Sequence, residues 1–120
     1  MKLFKYNGTK IVSIVNTNLV TLNTSGLDNE VAFVIGSRMF ECEIKVAHKL
    51  LAENFINLKI DNVLLAETYL PSTNWLESTV ISKNIKLANN QNVTLKLNNF
   101  NDNDIISVIM TYTVTLFIDN

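Results

Sequence analysis

The dominant period of apolar and polar positions along the chain is two. In FECEIKVAHKL, Phe40, Cys42, Ile44, Val46 and Leu50 are apolar, while Glu41, Glu43, Lys45 and Lys49 are charged. That alternation belongs to a strand with one buried and one wet face. VTLKL repeats it, with Val93, Leu95 and Leu97 against Thr94 and Lys96. In the closing DIISVIMTYTVTLFIDN, one face carries Ile106, Val108, Met110, Tyr112, Val114, Leu116 and Ile118, and the other Ser107, Thr111, Thr113 and Thr115. Shorter runs are KLFKY, KIVSIV, LVTL, EVAFVIG, INLKI, VLLAETYL and TVISKNIKL, rich in the β-branched and aromatic residues that a pleated surface favours.

Turn signals separate these runs: NGT at Gly8, NTN at Thr17, TSGLDN at Gly26, GSR at Gly36, DN at Asp61, PSTN after Leu70, NNQN at Asn90 and NNFNDND at Asn101. Asn, Asp and Gly tolerate positive φ, and short polar side chains mimic backbone hydrogen bonds. Eight to ten strands spaced about 8–12 residues apart predict an all-β chain, an antiparallel β-sandwich of jelly-roll type. One stretch competes. KVAHKLLAENFINL places Ala47, Leu50, Leu51, Phe55 and Leu58 at helical spacing among good helix formers, which predicts one short helix around 46–56 as an alternative to continued strand. A chain of 120 residues suits one domain spanning 1–120.

Composition narrows the partners. Charged residues are 18% of the chain, below the usual quarter, so uncharged groups, including 18 asparagines, must cover the surface. Net charge is −1, the lysines are scattered and Arg38 is the sole arginine. Nucleic-acid binders concentrate positive charge, so neither nucleic acid nor an acidic membrane is an expected partner. The single cysteine, Cys42, excludes an intrachain disulfide. The opening MKLFKYNGTKIVSIV lacks an uninterrupted apolar h-region and a small-residue cleavage site. Synthesis and folding in a reducing cytoplasm are expected.

Candidate chemistry is sparse. Cys42 and His48 lie on the same phase of one strand, about 20 Å apart at ~3.3 Å per residue, too far for a nucleophilic dyad. Glu41 and Glu43, about 7 Å apart, resemble the spacing of paired glycosidase carboxylates, yet Lys45 and Lys49 share their face and read it as solvated. NNFNDNDI offers Asp102 and Asp104 to calcium, but no EF-hand pattern surrounds them, and a polar turn over Phe100 is the simpler reading. Zinc lacks ligands, and the isolated glycines make no phosphate loop. No catalytic, cofactor-binding or metal-binding residues are assigned, and no enzyme activity is expected. LPSTNWLES holds the one tryptophan, Trp75. It is expected to be buried at the start of the next strand; on a loop it would serve as an interface anchor or a sugar-stacking platform.

The last strand raises a further expectation. About 14 residues would span on the order of 45 Å. Ile109 and Phe117 interrupt its Ser/Thr row, and no charge occurs between Asp104 and Asp119. Exposed edges are normally defended by lysine, proline or bulges. The strand is therefore expected to be central in its sheet or covered by another subunit, with Thr111, Thr113, Thr115, Phe117 and Trp75 as interface residues.

In its Asn/Thr richness, its short strands with NTN and NNQN turns and its closing VIMTYTVTLFI, the whole chain resembles the small all-β virion proteins of tailed phages, in the style of capsid auxiliary and head-fibre proteins of crAss-like phages. The resemblance rests on no specific residue. It implies a non-enzymatic, homo-oligomeric virion protein that binds the major capsid protein or other virion proteins. The alternative is a β-sandwich module presenting Trp75 and nearby loops to a carbohydrate or peptide.

Overall fold

The computed structural model describes residues 2–14, 17–24, 35–88 and 90–118, with side chains described for 5–14, 17–24, 41–88 and 90–115. Eight strands follow in order: β1 (Lys2–Ile14), β2 (Leu19–Asn23), β3 (Ile35–Lys49), β4 (Asn54–Ile60), β5 (Val63–Leu70), β6 (Glu77–Leu87), β7 (Asn92–Leu97) and β8 (Ile105–Ile118). They form two antiparallel four-stranded sheets, ordered β1-β8-β3-β6 and β2-β7-β4-β5. This is a jelly-roll β-sandwich, as the alternation predicts. β8 lies between β1 and β3, which answers why so long a strand carries no edge defence.

Alternation sets the core directly. Cys42, Ile44, Val46 and His48 of β3 face inward with Ile106, Val108, Met110, Tyr112 and Val114 of β8. Opposite them lie Ile56 and Leu58 of β4 and Val93, Leu95 and Leu97 of β7. Phe100 is half-buried against this cluster, as the turn reading requires.

Three local expectations are corrected. The NGT segment is no turn: β1 pairs with β8 without interruption from Lys2↔Ile118 to Ile14↔Ile106. Gly8 serves a different end, because a Cβ there would lie 2.4 Å from the Tyr112 ring. GSR is also inside a strand; the register slips between Ile35 and Ser37, leaving Gly36 as the extra residue of a bulge. The helix around 46–56 does not form. β3 runs to Lys49, the chain turns over 50–53, and β4 starts at Asn54. Period-two burial on both sides of that turn outweighs helix propensity, because each strand gains partners in its own sheet. The TSGLDN turn and most of the EVAFVIG run lie outside the described residues.

The DN signal is realised fully. Asp61 and Asn62 have φ of 49° and 69° and join β4 to β5 as a two-residue hairpin.

Candidate functional site

The outer face of the β1-β8-β3-β6 sheet is assembled by register. Asn7, Thr113 and Glu41 occupy one row across β1, β8 and β3, and Thr9, Thr111 and Glu43 the next. Lys5 and Thr115 extend the floor at one end. On the far side β6 slips twice against β3, between Cys42 and Ile44 and between Ile44 and Lys45. Asn84, at φ 55°, sits in the first slip. Bulges kink and twist a strand, and here they bring Lys83 and Asn84 to the rim of a cleft of about 780 Å³. Gly8, Cys42 and Tyr112 close its base.

The floor is ordered and polar. The Thr113 hydroxyl donates to Asn7 Oδ1 at 2.7 Å, which orients both groups. Thr111, Thr113, Thr115 and Glu43 are half-buried, while Lys5, Asn7, Thr9, Glu41 and Lys83 are exposed. Hydroxyls both donate and accept, amides do both through separate atoms, ammonium groups donate and carboxylates accept. The cleft thus presents every hydrogen-bonding role within one concave surface. It is poorly arranged for hydrolysis. Glu41 and Glu43 stand side by side on one strand, whereas glycoside hydrolysis needs two carboxyl groups flanking the scissile bond.

The predicted site residues separate. Thr111, Thr113 and Thr115 lie on this floor, and Phe117 lies outside the described side chains. Trp75 is not buried as expected: it stands 64% exposed on the loop between β5 and β6. Thr73 Oγ1 donates to the Trp75 carbonyl at 2.6 Å, and Ser72 Oγ donates to the carbonyls of Leu50 and Leu51, tying this loop to the β3–β4 turn. Trp75 lies beyond the His48↔Glu77 row. His48 is five residues along β3 from Glu43, about 16 Å at ~3.3 Å per residue, so Trp75 does not join the cleft.

Other candidates resolve as structural. Cys42 and His48 occupy one uninterrupted strand and are held apart. Burial, with the Glu41 carboxylate beside it, pushes the Cys42 thiol up to about 11. Asp104 is buried, and its two carboxylate oxygens accept the backbone N–H groups of Leu51 and Asn101 at 2.8 and 2.9 Å. It pins the loop that feeds β8. Among the described residues no three acidic, His or Cys side chains gather in a way that would hold a metal ion.

Sequence reasoning missed Lys5, Asn7, Thr9 and Lys83, and read Glu41 and Glu43 as a plain solvated face. Reading NGT as a turn broke β1 in the middle of its polar row. The phase of Lys5, Asn7 and Thr9 was the available signal.

No family model and no curated protein matches the chain. Among solved structures it is similar to a Podospora anserina GH26-CBM35 β-(1,4)-mannanase, with 12% identity and a TM-score of 0.48 over 94% of this chain and 28% of that one. It is also similar to the CBM36-1 domain of a multidomain xylanase from the hindgut metagenome of Trinervitermes trinervoides (12% identity, TM-score 0.43, 90% of this chain and 78% of that one). A third is a CBM36 carbohydrate-binding module in complex with calcium and xylotriose (11% identity, TM-score 0.42, 94% and 98%). The chain spans little more than a quarter of the mannanase. These likenesses are too distant to transfer any residue. None of the three is a virion protein, and the expectation of a capsid auxiliary protein is corrected. Thr111, Thr113 and Thr115 lie on the floor of that open cleft, on a strand that is central in its sheet.

Proposed function

We propose that this chain is a non-catalytic carbohydrate-binding β-sandwich that holds a glycan in the cleft on the outer face of the β1-β8-β3-β6 sheet. The observation that carries the reading is the cleft floor itself: a row of threonine hydroxyls flanked by amide, carboxylate and ammonium groups, in a concavity of about 780 Å³. Ligand clefts typically run ~300–1,000 Å³. A sugar chain has hydroxyls that alternate as donors and acceptors, and this floor matches them without an apolar platform. Glu41 and Glu43 accept from sugar hydroxyls, Lys5 and Lys83 donate at the rims, and the Thr113–Asn7 pair is already oriented before ligand arrives. Binding of this kind is enthalpic and shares its hydrogen bonds with water, so each contact contributes modestly.

The test is a glycan array probed with the chain, followed by titration calorimetry on any oligosaccharide retained. Glu43→Gln is expected to weaken binding about 10-fold or more, since a hydrogen bond to a charged group contributes ~1.5–3 kcal/mol. Thr113→Val is expected to weaken it about 3- to 10-fold, from ~0.5–1.5 kcal/mol for a neutral bond. Trp75→Ala should leave affinity unchanged, because Trp75 is outside the cleft. An array on which nothing is retained, or binding lost in Trp75→Ala and kept in Glu43→Gln, would overturn the reading.

A further inference from the structure

Register sorts the charges of this chain by face. The outward phase of β3 carries Glu41, Glu43, Lys45 and Lys49. β6 adds Lys86, paired with Glu41, and Lys83, which stands in the slip opposite Glu43. Lys5 joins them from β1. The outer face of the β1-β8-β3-β6 sheet thus sets five lysines against two glutamates. Elsewhere among the described side chains the balance reverses, with Lys10, Lys59 and Lys96 against Glu53, Asp61, Glu67, Glu77, Asp102 and Asp104. A chain of net charge −1 gathers a positive surplus on the face that holds the cleft.

The surplus has a layout. Lys86 faces Glu41 across β3 and β6, and Lys45 follows Glu43 two residues on, so each carboxylate has an ammonium group beside it. Lys5 has no carboxylate in its row, which continues to Thr115 and Met39. Lys5 and Lys83 stand on opposite rims, separated by three strand spacings of ~4.8 Å and about four residues of ~3.3 Å along the strands, or about 20 Å between Cα atoms.

We propose, resting on the glycan reading above, that the cleft takes an anionic polysaccharide, one that bears carboxylate or sulfate groups. Its hydroxyls lie on the threonine floor and its charged groups at the Lys5 and Lys83 rims. A cleft with a surplus of one sign concentrates ligands of the other, and hydrogen bonds from ammonium to an oxyanion are stronger than neutral ones. Glu41 and Glu43 still accept from sugar hydroxyls, and the lysines beside them offset their charge. A chain of several sugars reaches both rims, which a single sugar does not. Nucleic acid is the weaker occupant. Its sites set arginine on phosphates and exposed aromatic rings on bases, whereas the cleft lining holds no arginine and only the buried Tyr112 ring.

The test is an array that sets polygalacturonate, alginate and a sulfated galactan beside methyl-esterified pectin, desulfated galactan, xylan and mannan. Calorimetry follows on oligosaccharides of the retained polymer and of its neutral counterpart. The acidic form is expected to bind about 10-fold or more tightly at ~0.01 M ionic strength, where the screening length is ~30 Å, and to lose most of that preference at ~1 M, where it is ~3 Å. The carboxylated and sulfated arms identify which anion is read. Lys5→Gln and Lys83→Gln are each expected to weaken binding of the acidic form about 3-fold, as exposed charge pairs do. Lys96→Gln, exposed on the other sheet, should leave it unchanged and so separates a sited contact from the net charge of the chain. Neutral polymers bound as well as acidic ones, or Lys96→Gln as costly as Lys83→Gln, overturn the proposal and leave the glycan reading standing. An array that retains nothing removes both. Single-stranded polyuridylate bound in place of every polysaccharide, and lost in Lys5→Gln, overturns both and assigns the cleft to nucleic acid.

Discussion

Gly8 and Tyr112 face each other across the β1–β8 ladder, and the ring occupies the space a side chain would need. A Cβ at Gly8 would meet the ring and hydroxyl of Tyr112 at 2.4 Å. Tyr112 is buried beneath the cleft floor and cannot swing out freely. Gly8→Ala is therefore expected to destabilise the fold by about 1–3 kcal/mol through overpacking, read by urea denaturation. Adding Tyr112→Val should recover part of that loss; unchanged instability in the double variant would place the cause in the backbone. His48 is the second residue with a measurable signature. It is fully buried, its Nε2 bonds Thr79 Oγ1 at 2.9 Å, and its Nδ1 has no partner. Burial lowers its pKa below the ordinary 6.5, opposed by the Glu77 carboxylate. The unfolded chain then takes up the proton first as pH falls. Stability contributed by neutral His48 is complete above pH 6.5 and is lost as pH drops from there through the folded-state value. Melting temperature is expected to decline just below pH 6.5 in wild type and to stay level over that interval in His48→Gln.

The β4–β5 hairpin shows how far an element is legible in its residues. INLKI-DN-VLLA alternates up to a pair of residues that tolerate positive φ, and the structure places both in the left-handed region. Asp61 does more than turn the chain: its Oδ1 accepts from Asn92 N at 3.0 Å, and its own N–H donates to the Asn92 carbonyl. The hairpin is thereby fastened to β7. Asn62→Ala is expected to lower stability by ~1–2 kcal/mol, the cost of left-handed backbone for a residue with Cβ. Asn62→Gly should spare it, and equal losses in thermal melts would show that the Asn62 side chain, not its φ, matters. The same rules failed at NGT and GSR. A glycine between polar residues fits a turn, but it also fits a strand that needs room for a ring or a bulge. What decides is the partner strand, more than 100 residues away for Gly8 and about 80 away for Gly36, and local sequence carries no record of it. The cleft was hidden for the same reason. Its rows join Asn7 to Thr113 and Glu41 only after register is set, and the β6 slips that raise Lys83 and Asn84 come from pairing with β3. Trp75 was misplaced because the PSTNWLES loop extends through the tryptophan before β6 begins at Glu77.

At the scale of the molecule, the jelly roll ties its two ends together. Lys2 pairs with Ile118 and Ile14 with Ile106, so among the described residues β1 has no strand partner until β8 is in place. β3 likewise has only the twice-broken β6 on its other side. Contacts this distant in sequence fold slowly, in ms to s for β-sandwiches, and they make β8 the element on which the sheet depends. Backbone amides flanked by partners on both sides open only when the sheet does, whereas edge amides exchange through local fraying. Hydrogen exchange is expected to be slowest across Ile106–Val114 and fastest in β2 and β5. The cleft floor lies on the slow strand, which keeps Thr111, Thr113 and Thr115 at fixed spacing whether or not ligand is bound. If β8 instead exchanged as fast as β5, the floor would have to be assembled by the ligand, and affinity would fall by the ordering it must supply.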